Sequence, residues 1–442
     1  MLQKFPQVSF VISTRNRCHV LLETLTRLSV CGLERSEFDI HVVDNASTDG
    51  TSARVRDTFP KVKLLTLNEN KGSVAKNEAL DYALGKYIVF LDDDSYPAPG
   101  AIQKMIRHFE ADGKLGAATF TITLPNGQRE CSAYPNVFIG CGVGLRRRAL
   151  RAVGGLPDDF FMQAEEYDLS MRLLDAGYKV ETFDDLHVTH LKTPQARVSA
   201  RTMRLDVRNN LFLITRRFPL KWVLPMGWDW MKRYWWIASS KNATGAFFYG
   251  VIDFMLRSVT GLKRDAVSDE GFERFAKVDE IRQRLECARF TPCSSTPGEG
   301  WGEGLSVDGR SNASDPHPNP LPEYRERGQM RVVLVDCGKN IHAYWRACRD
   351  LGIEIVAIAD RSLHHPARRY RGIRIVDDAT ARSLRYDAVI ISNLSPVHAA
   401  VRRDQWRMAQ DRAVIDLFEP NEPISDERPA ESESRRIAVR SA

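Results

Sequence analysis

From Val8 to about residue 110, short apolar runs alternate with segments of mixed polarity. The spacing predicts strands at Val8 to Ser13, Asp39 to Val43, Val62 to Leu67 and Tyr87 to Leu91, with helices near 19–30, 49–58 and 73–84. A run such as Tyr87-Ile-Val-Phe-Leu91, with no polar break, is the pattern of a strand covered on both faces in a parallel sheet. Strand and helix in alternation are the sequence form of βαβ winding, so the fold class is α/β. Residues 115–145 hold β-like pieces broken by Pro125, Gly127 and Pro135, and helical character returns at 164–177 and 198–217. The 222–258 segment is rich in aromatics, among them Trp222, Trp228, Trp230, Trp235 and Trp236. Within it, Ala243 to Leu256 is too short for a membrane span and contains Asp253 and two glycines, which predicts a buried or interfacial helix.

Between Thr291 and Gln329, proline, glycine and serine supply 17 of 39 residues, too little apolar surface to order the segment, so it is expected to be a disordered linker. A second βαβ pattern follows: strands at Arg331 to Asp336 and Ile353 to Asp360 around a helix at 340–350, then a strand at Ala388 to Ser392 and a helix near 396–410. This layout resembles the start of a Rossmann-type domain, with Asp360 where a ribose-binding acid would fall. The first turn, Asp336-Cys-Gly-Lys-Asn340, has one glycine instead of a G-x-G-x-x-G series, which argues against close approach to a pyrophosphate. The expected organisation is a catalytic α/β domain over 1–260 with a helical, basic and Trp-rich end, and a helical extension over 261–290. The linker over 291–329, a smaller Rossmann-like α/β domain over 330–420 and a disordered charged tail over 421–442 complete it.

Composition narrows the function classes. Apolar residues at 43%, charged residues at 27% and a negative mean hydropathy fit a soluble globular protein of two or three units. A net charge of +6 over 442 residues is no nucleic-acid footprint, so no nucleic-acid partner is expected. The eight cysteines form no CxxC pairs, which suits free thiols in a reducing compartment, and the sequons at Asn45, Asn242 and Asn312 are then idle. The N-terminal residues carry no long apolar stretch, so a cytoplasmic protein is expected. Arg201, Arg204, Arg208, Arg216, Arg217 and Lys221 recur among apolar residues in the pattern of an amphipathic helix. That pattern suits a solvated face, or a surface meeting anionic lipid at the inner face of the plasma membrane.

The candidate chemistry begins where the strand at Tyr87 to Leu91 stops on Asp92, Asp93 and Asp94. Carboxylates at the carboxyl end of a parallel strand can hold a divalent cation that bridges phosphate oxygens, and an acidic turn capping a helix is the plain alternative. Other strands also end in polar residues: Thr14, Arg15 and Arg17 after the first, and Asp44 at the second. Farther on, Glu165-Glu166-Tyr-Asp168 heads a predicted helix, and His187 and His190 follow the β-like Val180 to Phe183.

Taken in order, Val-Ser-Phe-Val-Ile-Ser-Thr-Arg-Asn-Arg, Ile-His-Val-Val-Asp-Asn-Ala-Ser-Thr-Asp-Gly-Thr, Asn70-Lys-Gly72 and Phe-Leu-Asp-Asp-Asp resemble the family 2 glycosyltransferases of the GT-A fold. Gly-Cys-Gly-Val-Gly-Leu-Arg-Arg-Arg-Ala-Leu, Val-Gly-Gly-Leu-Pro-Asp-Asp-Phe-Phe and Glu-Glu-Tyr-Asp-Leu-Ser-Met-Arg continue the resemblance, which covers about residues 7–217. It implies an inverting, metal-dependent enzyme that moves a hexosyl or deoxyhexosyl group from a nucleotide-diphosphate sugar to a hydroxyl acceptor in cell-surface polysaccharide or glycolipid synthesis; the basic, Trp-rich 201–258 region suits a lipid-linked or surface-polysaccharide precursor as that acceptor. Thr14, Arg15, Arg17, Asp44, Asn70, Gly72, Lys76, Asp92 and Asp93 would bind the nucleotide sugar. Asp92, Asp94 and His190 would hold Mg²⁺ or Mn²⁺. The base would be Glu165 or Glu166, with Glu166 favoured; the sequence departs from the usual Glu-Asp pair by having Glu at the second acid. Lys76 stands where relatives often have arginine or a small residue, and suits either a phosphate contact or a solvated helix position. Arg146, Arg147 and Arg148 fit an acceptor or phosphate contact as well as a basic helix start. Two rival functions remain on the sequence: a nucleotide-sugar-binding regulatory protein without turnover, and an NAD-linked oxidoreductase centred on 330–420.

Overall fold

A computed structural model of the chain describes residues 5–29, 32–34, 36–192, 199–259, 261–290, 329–410 and 412–419. The first unit runs β1 (Val8–Thr14), α1 (Cys18–Leu28), β2 (Phe38–Asp44), α2 (Thr51–Thr58), β3 (Lys63–Thr66), β4 (Tyr87–Asp92), β5 (Ser95–Pro97) and α3 (Ala101–Ala111). It continues through β6 (Leu115–Thr123), β7 (Arg129–Glu130), β8 (Gly142–Arg146), α4 (Arg147–Val153), α5 (Glu165–Asp175) and β9 (Lys179–His190). Five helices follow: α6 (Ser199–Arg217), α7 (Leu220–Ser240), α8 (Thr244–Val259), α9 (Asp269–Ala276) and α10 (Val278–Phe290). The last unit comprises β10 (Arg331–Val335), α11 (Ile341–Asp350), β11 (Glu354–Ala359), β12 (Arg369–Tyr370), β13 (Ile373–Val376), α12 (Asp378–Arg382), β14 (Ala388–Ile391), α13 (Pro396–Met408) and β15 (Ala413–Ile415). The expected linker, apart from Gln329, and the expected tail over 421–442 lie outside the described residues.

β1 lies between β2 and β4, parallel to both, so that Thr14 stands opposite Asp44 and Ser13 opposite Asp92. Beyond β4 the sheet becomes mixed, in the order β3-β2-β1-β4-β8-β6-β9-β5, with β8 antiparallel to β4. The two faces of the buried strands sort by alternation. Val8, Phe10 and Ile12 pack with Leu21 and Leu25 of α1 and Met105 and Phe109 of α3. Val11, Ile88 and Phe90 join the opposite core.

The segment predicted as a helix over 73–84 is instead a 3₁₀ turn over Gly72–Ala79. The segment is held from outside: Ser73 N donates to Phe161 O at 2.8 Å, and the Asn77 side-chain Nδ2 donates to Leu156 O at 2.8 Å. Gly72 has φ +70°, and a Cβ there would come within 2.2 Å of Phe161 O, so only glycine allows this approach.

The second sheet is parallel in the order β13-β11-β10-β14-β15, with β12 antiparallel at its edge. It packs against the first unit through the same core, since Val332, Leu334 and Ile390 share one apolar cluster with Trp222, Trp230 and Phe275. Polar contacts fix that seam. Asp229 of α7, 6% exposed, accepts from Tyr370 Oη at 2.7 Å and Arg371 Nη2 at 2.9 Å and bonds His342 Nδ1 at 3.0 Å. The turn after β10 is also engaged: Trp230 Nε1 donates to Lys339 O at 2.8 Å, and Arg233 Nε donates to Cys337 O at 3.1 Å. Lys339 Nζ donates to Asn210 Oδ1 at 3.0 Å and lies 4.0 Å from the centre of the Tyr167 ring.

Candidate active site

The parallel pairing of β1, β2 and β4 brings Thr14, Asp44 and Asp92 side by side at one edge of the sheet, the carboxyl ends of the strands. Asp44 is fully buried and accepts from Ser47 N at 2.9 Å and from Ser52 Oγ. Asn70 Oδ1 accepts from Gly72 N at 2.9 Å, and Asn45 Nδ2 reaches Gly72 O at 3.0 Å, which fixes the turn between β3 and β4 beside Asp44. Arg15 is exposed at the rim.

The three aspartates differ sharply. The Asp92 side chain is 41% exposed and pairs with Lys76 Nζ at 2.8 Å. Asp93 is buried; its carboxylate accepts from Thr14 Oγ1 at 2.7 Å and meets Arg17 Nη1 at 3.1 Å. Burial dominates there and pushes the Asp93 carboxyl up to about 7, against the pull of Arg17 and Thr14. Burial also opposes ionisation of Asp94, but bonds from His190 and Arg17 outweigh it and hold that carboxyl well below the usual range. Arg17 Nη2 donates to Asp94 Oδ2 at 2.7 Å, and His190 Nε2 lies 3.3 Å from Asp94 Oδ1.

His190 reaches this point because β9 runs twelve residues and pairs with β5, placing His190 opposite Ser95. Ligand atoms of Asp92, Cys141 and His190 lie within 4.8 Å of one another. Cys141 stands 3.7 Å from His190 Nδ1, and its burial holds the thiol protonated, well above its ordinary value. The donors gathered there are a carboxylate, an imidazole and a thiol.

Across the cleft, α5 opens on Glu165 and Glu166. Glu165 is 5% exposed and accepts from Ser73 Oγ. Glu166 is half-buried; its Oε1 accepts from Gly140 N at 3.3 Å. Lys76, 2% exposed, joins the two walls, donating to Asp92 Oδ1 and, at 3.0 Å, to Gly140 O. Burial opposes its charge, yet Asp92 keeps the ammonium ionised, so this lysine is a buried tie instead of a solvated helix residue. Burial, and for Glu165 the nearby Glu166 charge, raise both glutamates above the carboxylate range.

The backbone leading into α5 is unusual. Phe161, Gln163 and Ala164 have φ of +67°, +76° and +66°. Asn209 Nδ2 lies 2.8, 2.7 and 2.7 Å from the carbonyls of Phe160, Met162 and Gln163, and Arg208 Nη2 donates to Phe160 O at 2.7 Å. Asn209, Ser73 and Cys141 escaped the sequence reading, in which Arg208 is only part of a basic helix face. Cys141 alone sat inside a recognisable motif; Asn209 lies 46 or more residues from the carbonyls it binds. Arg146 does not join the site. It pairs with Tyr87 at the opposite end of β4, where its guanidinium caps Phe109 O and Leu115 O, and Arg148 donates to Gly113 O nearby.

Residues 9–153 match the family model described as Glycosyl transferase family 2. The glycosyltransferase AglE of Haloferax volcanii is 24% identical over 213 residues, 44% of this chain and 70% of that protein. The poly-beta-1,6-N-acetyl-D-glucosamine synthase of Staphylococcus epidermidis is 30% identical over 148 residues, 31% of this chain, which spans only 35% of the synthase. Among solved structures, a mannosyltransferase from Pyrobaculum calidifontis in complex with GDP-Man and Mn²⁺ matches over 59% of this chain and 77% of its own, at 20% identity and a TM-score of 0.40. Over residues 9–153, within an N-terminal α/β unit that has a smaller α/β unit behind it, the chain is thus similar to glycosyltransferase family 2.

Proposed function

We propose that the chain transfers a sugar from a nucleotide-diphosphate donor to a hydroxyl acceptor with inversion, in the synthesis of a cell-surface polysaccharide or glycolipid. The observation that carries this reading is the gathering of Asp92 and His190 at the sheet edge beside Glu166 at the head of α5, with Lys76 bonding Asp92 and both Lys76 and Glu166 bonding the Gly140 backbone. Asp44, Asn70 and Gly72 frame the nucleotide, with Thr14 and Arg17 as the buried supports beneath it. Asp92, Asp94 and His190 would hold Mg²⁺ or Mn²⁺, which supplies neutralisation of the charge that develops on the leaving diphosphate. In a single displacement the acceptor oxygen attacks the anomeric carbon opposite the diphosphate, and the departing oxygen keeps the bonding electron pair. Glu166 takes the acceptor proton, because it is the more open glutamate and faces the Asp92 side. The expected result with a panel of nucleotide sugars is nucleotide release that requires added Mn²⁺ or Mg²⁺ and is enhanced by acceptor; release unaffected by chelation would sink the metal-dependent reading.

The two glutamates separate in a pH series. A base must be ionised, and a raised carboxyl stays protonated to higher pH, so the rate should fall on the acid side at a pH above the ordinary glutamate value of 4.5. Glu166→Gln should lower turnover about 10²-fold or more. Glu165→Gln should retain most turnover and leave the acid limb in place, since Glu165 is raised the further and is neutral while Glu166 titrates. The reverse pattern would make Glu165 the base.

The last unit is better read as a docking unit than as a dinucleotide site. The turn after β10 gives its carbonyls to α7, while Asp360 is spent on Cys337 N at 2.8 Å and on Ser362 and Leu363. Absence of NAD-induced thermal stabilisation of the full chain is the expected outcome.

A further inference from the structure

α8 presents an apolar stripe that no described residue covers. Phe248, Tyr249, Ile252, Met255, Leu256 and Val259 are between 49% and 87% exposed, and their spacing of one, three, three, one and three residues places them on a single helical face. The opposite face is firmly seated. A Cβ at Gly250 would come within 2.6 Å of Arg204 O, so α8 lies close against α6. Between 241 and 264 the only acid is Asp253, and it is turned inward, where it takes Arg204 at 3.0 Å, Arg208 at 3.3 Å and Arg257 at 3.0 Å. Lys241, Arg257, Lys263 and Arg264 are exposed around the stripe, and Trp235 of α7 extends it, its ring 5.6 Å from that of Phe248. On the neighbouring helices, Arg208 and Arg217 of α6 bond inward and Trp222, Trp230 and Trp236 of α7 are buried, while Leu220, Leu224 and Trp228 of α7 are exposed as well.

We propose that α8 is a monotopic docking helix that lies in the headgroup region of a bilayer bearing anionic lipids. Aromatic and aliphatic side chains project from one face, the single acid is withdrawn, and cations rim the stripe, which is the charge complement of an anionic lipid surface. No described helix is long and apolar enough to cross a membrane, so contact is in the plane of the interface. The inference goes beyond the transfer reaction and stands without it, because the face involves no residue of the cleft.

Co-sedimentation of the full chain with vesicles of phosphatidylcholine alone, or mixed with phosphatidylglycerol, tests it. Binding should be at least about tenfold stronger with phosphatidylglycerol and should weaken with salt. Phe248→Ser with Leu256→Ser should reduce partitioning about tenfold or more. Lys241→Glu with Lys263→Glu should abolish the preference for phosphatidylglycerol. Circular dichroism and nucleotide binding of the variants should match the parent, separating loss of docking from loss of fold or of the active site. Partitioning that is equal for parent and serine variant, or absent from both vesicles, would overturn the proposal. So would a self-association that the serine variant abolishes without any vesicle binding, which would assign the face to a second copy of the chain.

Discussion

Asp92→Asn is expected to lower sugar transfer about 10³-fold while leaving the protein folded. The Asp92 side chain is 41% exposed, but its partner Lys76 is buried and asparagine leaves that ammonium without a counter-charge, so unfolding should shift by about 3–5 kcal/mol. The neighbouring Asp94→Asn should behave differently. The Asp94 side chain is 2% exposed and carries Arg17 and His190, but Arg17 also meets Asp93 at 3.1 Å, so removing the Asp94 charge should cost less, about 1–3 kcal/mol. Both variants should lose activity, and Asp92→Asn should lose more thermal stability than Asp94→Asn. Initial rates of nucleotide release beside thermal unfolding curves distinguish them, and an Asp92→Asn enzyme within tenfold of the parent would refute the role given to this carboxylate.

Asp229→Ala should be the most damaging substitution outside the cleft. One buried carboxylate collects a histidine, a tyrosine and an arginine from the last unit, and its loss leaves all three facing an apolar seam. About 3–5 kcal/mol is expected, and urea unfolding should split into two transitions as the units uncouple. A single transition at the parent midpoint would show that the seam does not depend on this acid. Burial opposes its ionisation, yet bonds from His342, Tyr370 and Arg371 prevail and hold Asp229 below its ordinary 3.8. A depressed carboxyl contributes its full stability above that ordinary value and loses it as pH falls through the depressed one, so acid should loosen this seam.

The sequence made β1, β2 and β4 legible because strands buried on both faces leave uninterrupted apolar runs, and their carboxyl ends could be read directly as chemistry. It hid β9 beyond Phe183, where Asp184, Asp185 and His187 break the apolar pattern and the register with β6 shifts between Phe120 and Thr121. The 3₁₀ turn over Gly72–Ala79 was hidden for another reason: its local helical pattern is overruled by Phe161, about ninety residues away. The docking of the last unit was equally invisible, since Asp229 and its partners are separated by 113 to 142 residues and none belongs to a motif.

The left-handed backbone ahead of Glu165 bears on how this protein would respond to selection. Each non-glycine residue held there costs about 1–3 kcal/mol, offset by the carbonyls that Asn209 and Arg208 clamp. Glycine at 163 or 164 would relieve that cost and raise the melting temperature, yet it would let the head of α5 sample many orientations. A search for heat-resistant clones should therefore enrich glycine at these two positions among the catalytically weakest survivors, while a search for turnover should discard it.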